Sequence, residues 1–372
     1  MKRELVITIQ GRKIGHDYPC FIVAEISANH HQKYDEAIEL VKAAARAGVD
    51  AVKLQTFTPD SLTIDSDKKW FRVNLSNGPE VWSGKTLYKL YEQAQTPWEW
   101  HSELKKLAND NRLILFSTPQ DDESVDFLEN LDVPAYKIAS YELLHIPLLR
   151  KVTRTGKPII VSVGFASLAE IEFAFKTLKD AGTKEIALLH CVTGYTNQPK
   201  AKEMNLATIE DLRKRFGVVS GFSYNDGGVD FPVAAAKLGA SIIEIHVILN
   251  RDLGGLDARF SSEPAELAEM VRRIRAFEKN GDRSLNAAEQ KAVGVPHYGP
   301  DGKAEGEVRD TFRRSIFVVD DIKAGDVLTT ENVRIIRPAY GISPIKWDAV
   351  LGKKVTNDLE KGTPLSLDYI VD

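Results

Sequence analysis

Short runs of apolar, often β-branched residues alternate along most of the chain with longer stretches whose apolar positions recur every three to four residues. This alternation predicts repeated strand–helix units, with parallel strands covered by helices. Eight strands are expected, at 20–25, 51–55, 113–117, 135–139, 158–163, 186–191, 218–223 and 241–247. The stretches 37–47, 97–108, 168–181, 205–216, 233–238 and 266–278 between and after them each carry an apolar face. Eight units is the number that closes a parallel sheet into a barrel, and the Gly-x-Gly-x-x-Gly turn of an open dinucleotide-binding sheet is missing. The expected fold class is therefore α/β, a TIM (β/α)8 barrel.

The pattern changes after the last unit. Residues 282–310 turn to Gly, Asp, Lys and Glu, which predicts a linker with one short helix. Beyond it, β-like runs at 314–319 and 333–336 alternate with the turn signals Lys323-Ala324-Gly325-Asp326 and Lys361-Gly362-Thr363-Pro364. The predicted organisation is a barrel over 1–281, a linker over 282–310 and a small β-rich domain over 311–372. The last has little core of its own and should dock on the barrel or on a partner subunit. A long insertion, 58–96, follows the second strand and carries Trp70, Trp82 and Tyr88. Loops at that end of a barrel flank its active face.

Composition narrows the class. At 372 residues, 43% apolar and 27% charged, the chain has the balance of an ordinary soluble enzyme. A net charge of −4 exerts no overall pull on nucleic acid or anionic lipid. Met1-Lys2-Arg3 leads into no apolar signal segment, and no stretch approaches the ~18 apolar residues of a membrane span. A cytoplasmic protein with neither nucleic-acid nor membrane partners is expected. Cys20 and Cys191 fall in separate predicted strands, which supports neither a disulfide framework nor a zinc ribbon.

Strands of a parallel barrel should be almost wholly apolar, so charge inside one needs a reason. Glu25, Lys53, Lys137, Ser162, Ser223, Glu244 and His246 all lie near the C-terminal ends of predicted strands, where barrel active sites form. A lysine this deep is costly unless an anion neutralises it. Lys53 and Lys137 together point to a phosphate or carboxylate ligand, with Thr118, Ser162 and Ser223 as further donors. The bland reading is that each lysine pairs with a carboxylate such as Glu25. Glu25 itself suits a base, an acid or an orienting group. His246 shares a face with Glu244 by strand alternation and is either a core histidine or a ligand. His190 has no ligand-motif spacing relative to His246, and it is not expected to bind a metal directly.

These residues sit in segments that resemble the sialic acid (N-acetylneuraminate) synthase family, nearest to its pseudaminic acid synthases. The matching text is Phe21-Ile-Val-Ala-Glu-Ile-Ser-Ala-Asn-His30, Asp50-Ala-Val-Lys-Leu-Gln55, Trp82-Ser-Gly-Lys-Thr-Leu-Tyr88, Thr96-Pro-Trp-Glu-Trp-His101, Phe116-Ser-Thr-Pro119 and Tyr136-Lys-Ile-Ala-Ser140. The tail, with Arg314-Ser315, Asp320-Asp-Ile-Lys-Ala-Gly325 and Arg337-Pro338, resembles that family's SAF, or antifreeze-like, domain. The resemblance implies aldol-type condensation of phosphoenolpyruvate with an N-acetylated amino sugar, releasing phosphate, with Mn2+ or Mg2+ as cofactor. It makes Glu25 the acid/base and places Lys53, Thr118, Lys137, Ser162, Tyr195 and Ser223 at phosphoenolpyruvate. Asp257 and Arg337 fall at the sugar, with Arg337 arriving across a domain-swapped homodimer.

Departures from the family pattern fall in the same pocket. The family's Ser-Asp-His-Thr, whose histidine is a metal ligand, reads Ser223-Tyr224-Asn225-Asp226. Its Glu-Lys-His-Phe reads Glu244-Ile245-His246-Val247, its Ser-Thr-Gly-Met turn Ser162-Val163-Gly164-Phe165, and its Gly-Pro-Asp Gly255-Leu256-Asp257. Thr193 stands where the family has Asn or Ser before Tyr195. His246 and Asn225, the latter through its carbonyl, are the metal ligands that remain. The alternatives are a paralogue with an altered acceptor or carbon–carbon chemistry, and a non-catalytic sugar-binding protein on the same scaffold. A barrel enzyme that forms a Schiff base through Lys137 is a further contender.

Overall fold

The computed structural model describes residues 4–76, 78–300 and 302–371. The first element is a hairpin outside the predicted set, β1 (Val6–Ile9) and β2 (Arg12–Gly15), turned through Gln10 and Gly11. Both turn residues have positive φ, 48° and 79°, which matches the right-handed twist of the strands they join. Ile7, Ile9 and Ile14 are fully buried against the barrel's first strand residues, so the hairpin plugs that end of the barrel.

The eight expected strands follow: β3 (Phe21–Glu25), β4 (Ala51–Thr56), β5 (Ile114–Pro119), β6 (Tyr136–Ile138), β7 (Ile159–Ser162), β8 (Ile186–Val192), β9 (Val219–Tyr224) and β10 (Ile242–His246). They are parallel, each paired to the next, and β10 returns to β3 to close the barrel. Helices cover the outside, among them Tyr34–Ala47, His101–Asp110, Leu168–Asp180, Ala207–Phe216, Asp230–Lys237 and Pro264–Asn280. The period of two along each strand sorts the side chains. Ile22, Ala24, Val52, Leu54 and Leu115 pack outward with the helices, whereas Phe21, Val23, Ala51, Phe116, Ala135, Ile160, Leu189, Val219 and Ile242 join the hairpin inside.

Residues 282–310 hold more structure than a linker with one helix. They contain helix Ala287–Ala292 and most of helix Gly302–Phe312. The first is fixed by an Asn286/Glu289 capping box, with Glu289 buried against Lys237, and by main-chain bonds from Leu206 and Ala207 to Ala292 and Val293 (3.0 and 2.8 Å). That local signal, Asn-x-x-Glu, was present under the polar composition.

The C-terminal module pairs β11 (Ser315–Val318) with β12 (Val333–Ile336) and β13 (Lys354–Val355) with β14 (Ile370–Val371), both antiparallel. It has a core of its own, including Ile316, Val318, Leu328, Val333, Trp347, Val350 and Leu365. It also docks on the barrel of the same chain. Phe317 and Ile336 pack against Ile64 and Phe71 of the insertion, and the Arg337 main chain bonds to Leu62 and Thr63 (2.8 and 3.0 Å).

Candidate active site

A cavity of about 150 Å3 opens at the C-terminal ends of the barrel strands. Its floor follows from strand alternation. Two positions above the apolar inward layer stand Glu25 on β3, Lys53 on β4, Thr118 on β5, Ser162 on β7, Cys191 on β8 and Glu244 on β10, with Lys137 on β6 and Ser223 on β9 at the same level. All are buried.

The charges on this floor cancel. Lys53 contacts Glu25 and lies 3.9 Å from Glu244, while Lys137 donates to Glu244 at 3.0 Å. Lys53 also donates to Thr118 (3.1 Å), and Ser223 donates to Glu244 (3.2 Å). Burial pulls the Lys53 ammonium down to about 7, against the opposing pull of Glu244. Burial pushes the Glu244 carboxyl up, but Lys137 and then Lys53 outweigh it and hold the group below its ordinary range. Burial, aided by the Lys53 charge, pulls the His246 imidazole down to about 3, so it is neutral. Ser162 Oγ, Thr193 Oγ1 and His246 Nδ1 are buried at this cavity without a hydrogen-bond partner. Such atoms are rare in a finished core and mark where a polar ligand would sit.

The mouth is different. Trp82, Tyr91, Tyr141, Tyr195, Phe260 and Phe312 make an aromatic wall around it. The Arg337 guanidinium stands over the Tyr91 and Tyr141 rings (5.4 and 5.3 Å to their centroids), donating to Glu142 at 2.5 Å and to the Tyr91 hydroxyl at 3.1 Å. Glu142 also takes Arg314, which bonds in addition to the Ser61 and Gln120 carbonyls. Within this one chain Arg337 reaches the mouth from the chain's own C-terminal module. Helix Gly302–Phe312 runs straight into β11, and Ala339 bonds back to Asp310, which keeps the following strands over the same barrel.

Residues 40–284 match the NeuB family, and residues 313–371 match the SAF domain. The chain belongs to the NeuB family. It is 38% identical over 352 residues to the pseudaminic acid synthase of Helicobacter pylori, covering 95% of this chain and 98% of that one. It is 36% identical to the pseudaminic acid synthase of Campylobacter jejuni serotype O:23/36 over 94% of this chain and 96% of that one. The crystal structure of the spore coat polysaccharide biosynthesis protein SpsE of Bacillus subtilis superposes with a TM-score of 0.81 at 31% identity, covering 99% of both chains.

Within this NeuB-family pocket the twelve site residues singled out from sequence, Glu244 included, all line one cavity, but in different settings. Tyr195 belongs to the wall: its hydroxyl bonds to Tyr141 (2.8 Å) and its ring packs on Phe260 and Trp82. Asp257 accepts from Ser27 and lies 3.9 Å from His246 Nδ1. Asn225 turns its amide nitrogen toward Cys191 Sγ (3.6 Å). Of Trp70, Trp82 and Tyr88, Trp82 reaches the cavity, whereas Trp70 packs on Tyr340 and Tyr88 bonds to Asp60. His190 points away and bonds to the Met204 carbonyl.

Sequence reasoning passed over Glu142, Tyr91, Tyr141, Gln55, Ser27 and Cys191. Glu142 had a usable signal, a carboxylate in the otherwise apolar run around Leu143-Leu144. The rest are polar or aromatic residues at strand ends, in turns or, for Tyr91, on helix Leu87–Ala94, where such residues are ordinary.

A divalent cation is expected for the family, and the donors can be tested for it. Among the described residues no group of three or more His, Cys, Asp or Glu is gathered at ligating distances. Yet His246 and Glu25 are register partners on β10 and β3, and the unpartnered His246 Nδ1 faces Asp257, with the Asn225 amide on the same cavity. One neutral imidazole with carboxylate and amide oxygens suits a hard or borderline divalent ion such as Mg2+ or Mn2+.

Proposed function

We propose that this chain is a nonulosonic acid synthase, a transferase that condenses phosphoenolpyruvate with an open-chain N-acetylated amino sugar and releases phosphate. The observation that carries this reading is the buried floor of two lysines and two glutamates beside unpartnered hydroxyls. A dianionic ligand entering there gains lysine contacts already stripped of water, where electrostatic attraction is strong. Lys53, Lys137, Thr118, Ser162 and Ser223 would hold phosphoenolpyruvate. Its methylene carbon bonds to the aldehyde carbon, the aldehyde oxygen takes a proton, water adds at the enol carbon and phosphate departs. Glu25, fixed by Lys53 and by the Ser27 N–H (2.7 Å), is placed to give and take those protons.

The acceptor would lie toward the mouth, with Asp257 and Arg337 on its hydroxyls and the aromatic wall, Tyr195 included, against its apolar faces. His246 and Asn225 would hold the divalent ion, which when bound supplies a Lewis acid that polarises a carbonyl oxygen. The pseudaminic acid synthases among its relatives favour an acceptor that leads to a pseudaminic acid. In a domain-swapped homodimer, the module contacts seen within one chain would be made between two. A cytoplasmic location would suit an enzyme that consumes phosphoenolpyruvate. Among the described residues no helix is long and apolar enough to cross a membrane.

The test is phosphate release by purified, metal-stripped protein given phosphoenolpyruvate, a panel of N-acetylated amino sugars and either Mn2+, Mg2+ or chelator. Release that needs both sugar and metal, and that is lost in Glu25→Ala, supports the synthase. Absence of release with every sugar while phosphoenolpyruvate still binds would refute it.

A further inference from the structure

Ser27 is a buried residue just past the end of β3, and its backbone is in the left-handed region, φ 49°. An L-residue with a side chain pays for that conformation, and glycine would not. A side chain kept in such a place calls for a job that glycine cannot do. Ser27 makes three polar contacts at the cavity. Its N–H donates to Glu25 Oε1 (2.7 Å), its hydroxyl donates to Asp257, and that hydroxyl accepts from Gln55 Nε2 (3.0 Å). The backbone contact survives any substitution that keeps the fold, but the other two need the hydroxyl.

The hydroxyl therefore stands in a directed chain, Gln55 to Ser27 to Asp257, whose last member faces the His246 ring nitrogen at 3.9 Å. The Asp257 carboxylate also accepts from the Ala28 backbone N–H, a contact that does not need the Ser27 hydroxyl. The Asp257 main-chain carbonyl is held separately by Ser261 Oγ (2.7 Å), which fixes the loop. We propose that Ser27 is a positioning residue for the acceptor end of the site. Its hydroxyl sets the direction of the Asp257 carboxylate toward the amino sugar, and the phosphoenolpyruvate floor does not depend on it. This rests on the synthase reading above.

Two variants separate the hydroxyl from the backbone. Ser27→Gly removes both the hydroxyl and the conformational cost, whereas Ser27→Ala removes the hydroxyl and keeps the cost. Wild type, S27G and S27A are compared by thermal melting and by KM for each substrate in the phosphate-release assay. S27G is expected to melt above S27A, yet both should raise the KM of the amino sugar about tenfold, the loss of one hydrogen bond to a charged group, with the KM of phosphoenolpyruvate unchanged. If S27G keeps the wild-type sugar KM while S27A loses activity, the residue matters only through its backbone and the proposal is wrong. Equal rises in both KM values would also overturn it. A wild-type protein that releases no phosphate with any sugar would instead refute the synthase reading itself.

Discussion

The lower and upper halves of one barrel are built from the same strands and differ by two residues of chain, about 7 Å. Below, Val23, Ala51, Phe116, Ala135, Ile160, Leu189 and Ile242 close on the N-terminal hairpin as an apolar plug. Above, the next inward positions are Glu25, Lys53, Thr118, Lys137, Ser162, Cys191 and Glu244. On β9 the intervening inward residue is Gly221, where a Cβ would come within 2.4 Å of the Ile242 carbonyl oxygen. The lower layer can be understood from packing alone. The upper one cannot, because desolvating four charges costs more than apolar residues of the same volume would. The contrast teaches that stability and chemistry are stacked on the same strands and should respond separately to substitution.

The largest effect is expected at Lys137. Lys137→Met leaves Glu244 with only the more distant Lys53, so turnover of phosphoenolpyruvate should fall about 10³-fold and stability by about 3–5 kcal/mol, read by steady-state rates and denaturant melts. Adding Glu244→Leu to that variant should restore most of the stability and none of the activity. Phe116→Ala in the lower layer should cost about 3–5 kcal/mol of stability while KM for both substrates stays at the wild-type value in the folded fraction. Arg337→Ala should raise the KM of the amino sugar by about 10- to 100-fold and leave phosphoenolpyruvate binding by calorimetry unchanged. Tyr195→Phe removes only a hydroxyl already bonded to Tyr141, and about a two- to tenfold change in the sugar KM is the smallest effect expected. A Tyr195→Phe variant that lost phosphoenolpyruvate binding would move that residue from the wall to the floor.

The same contrast explains what could be read in advance. Eight apolar runs at regular spacing announce a barrel, and a charge in such a run, as at Lys53 or Lys137, stands out because the neighbouring positions are all apolar. Alternation then puts each charged residue on the inner face. The mouth lacks such a background. Tyr91 on helix Leu87–Ala94, and Tyr141 and Glu142 on the short turn after β6, meet Arg337 of a module more than 190 residues further on, in contacts that no local period encodes. The hairpin β1–β2 was hidden because four-residue strands around a Gln-Gly turn are too short to show a pattern. Residues 282–310 were expected to hold one short helix and hold parts of two, because helix Ala287–Ala292 is fixed at its start by caps and not by a long apolar face. Ser27 was invisible for another reason: its left-handed backbone, which makes the serine unusual, exists only in the folded chain.

The most direct test of the layered account is a crystal structure of the protein with phosphoenolpyruvate bound and no sugar. The account predicts the phosphate and carboxylate on the floor, within hydrogen-bonding distance of Lys53 and Lys137 and of the free Ser162 hydroxyl, with the Arg337 and Tyr195 wall unchanged. Phosphoenolpyruvate lodged instead at Arg337, with Lys53 and Lys137 still closed on Glu25 and Glu244, would contradict it.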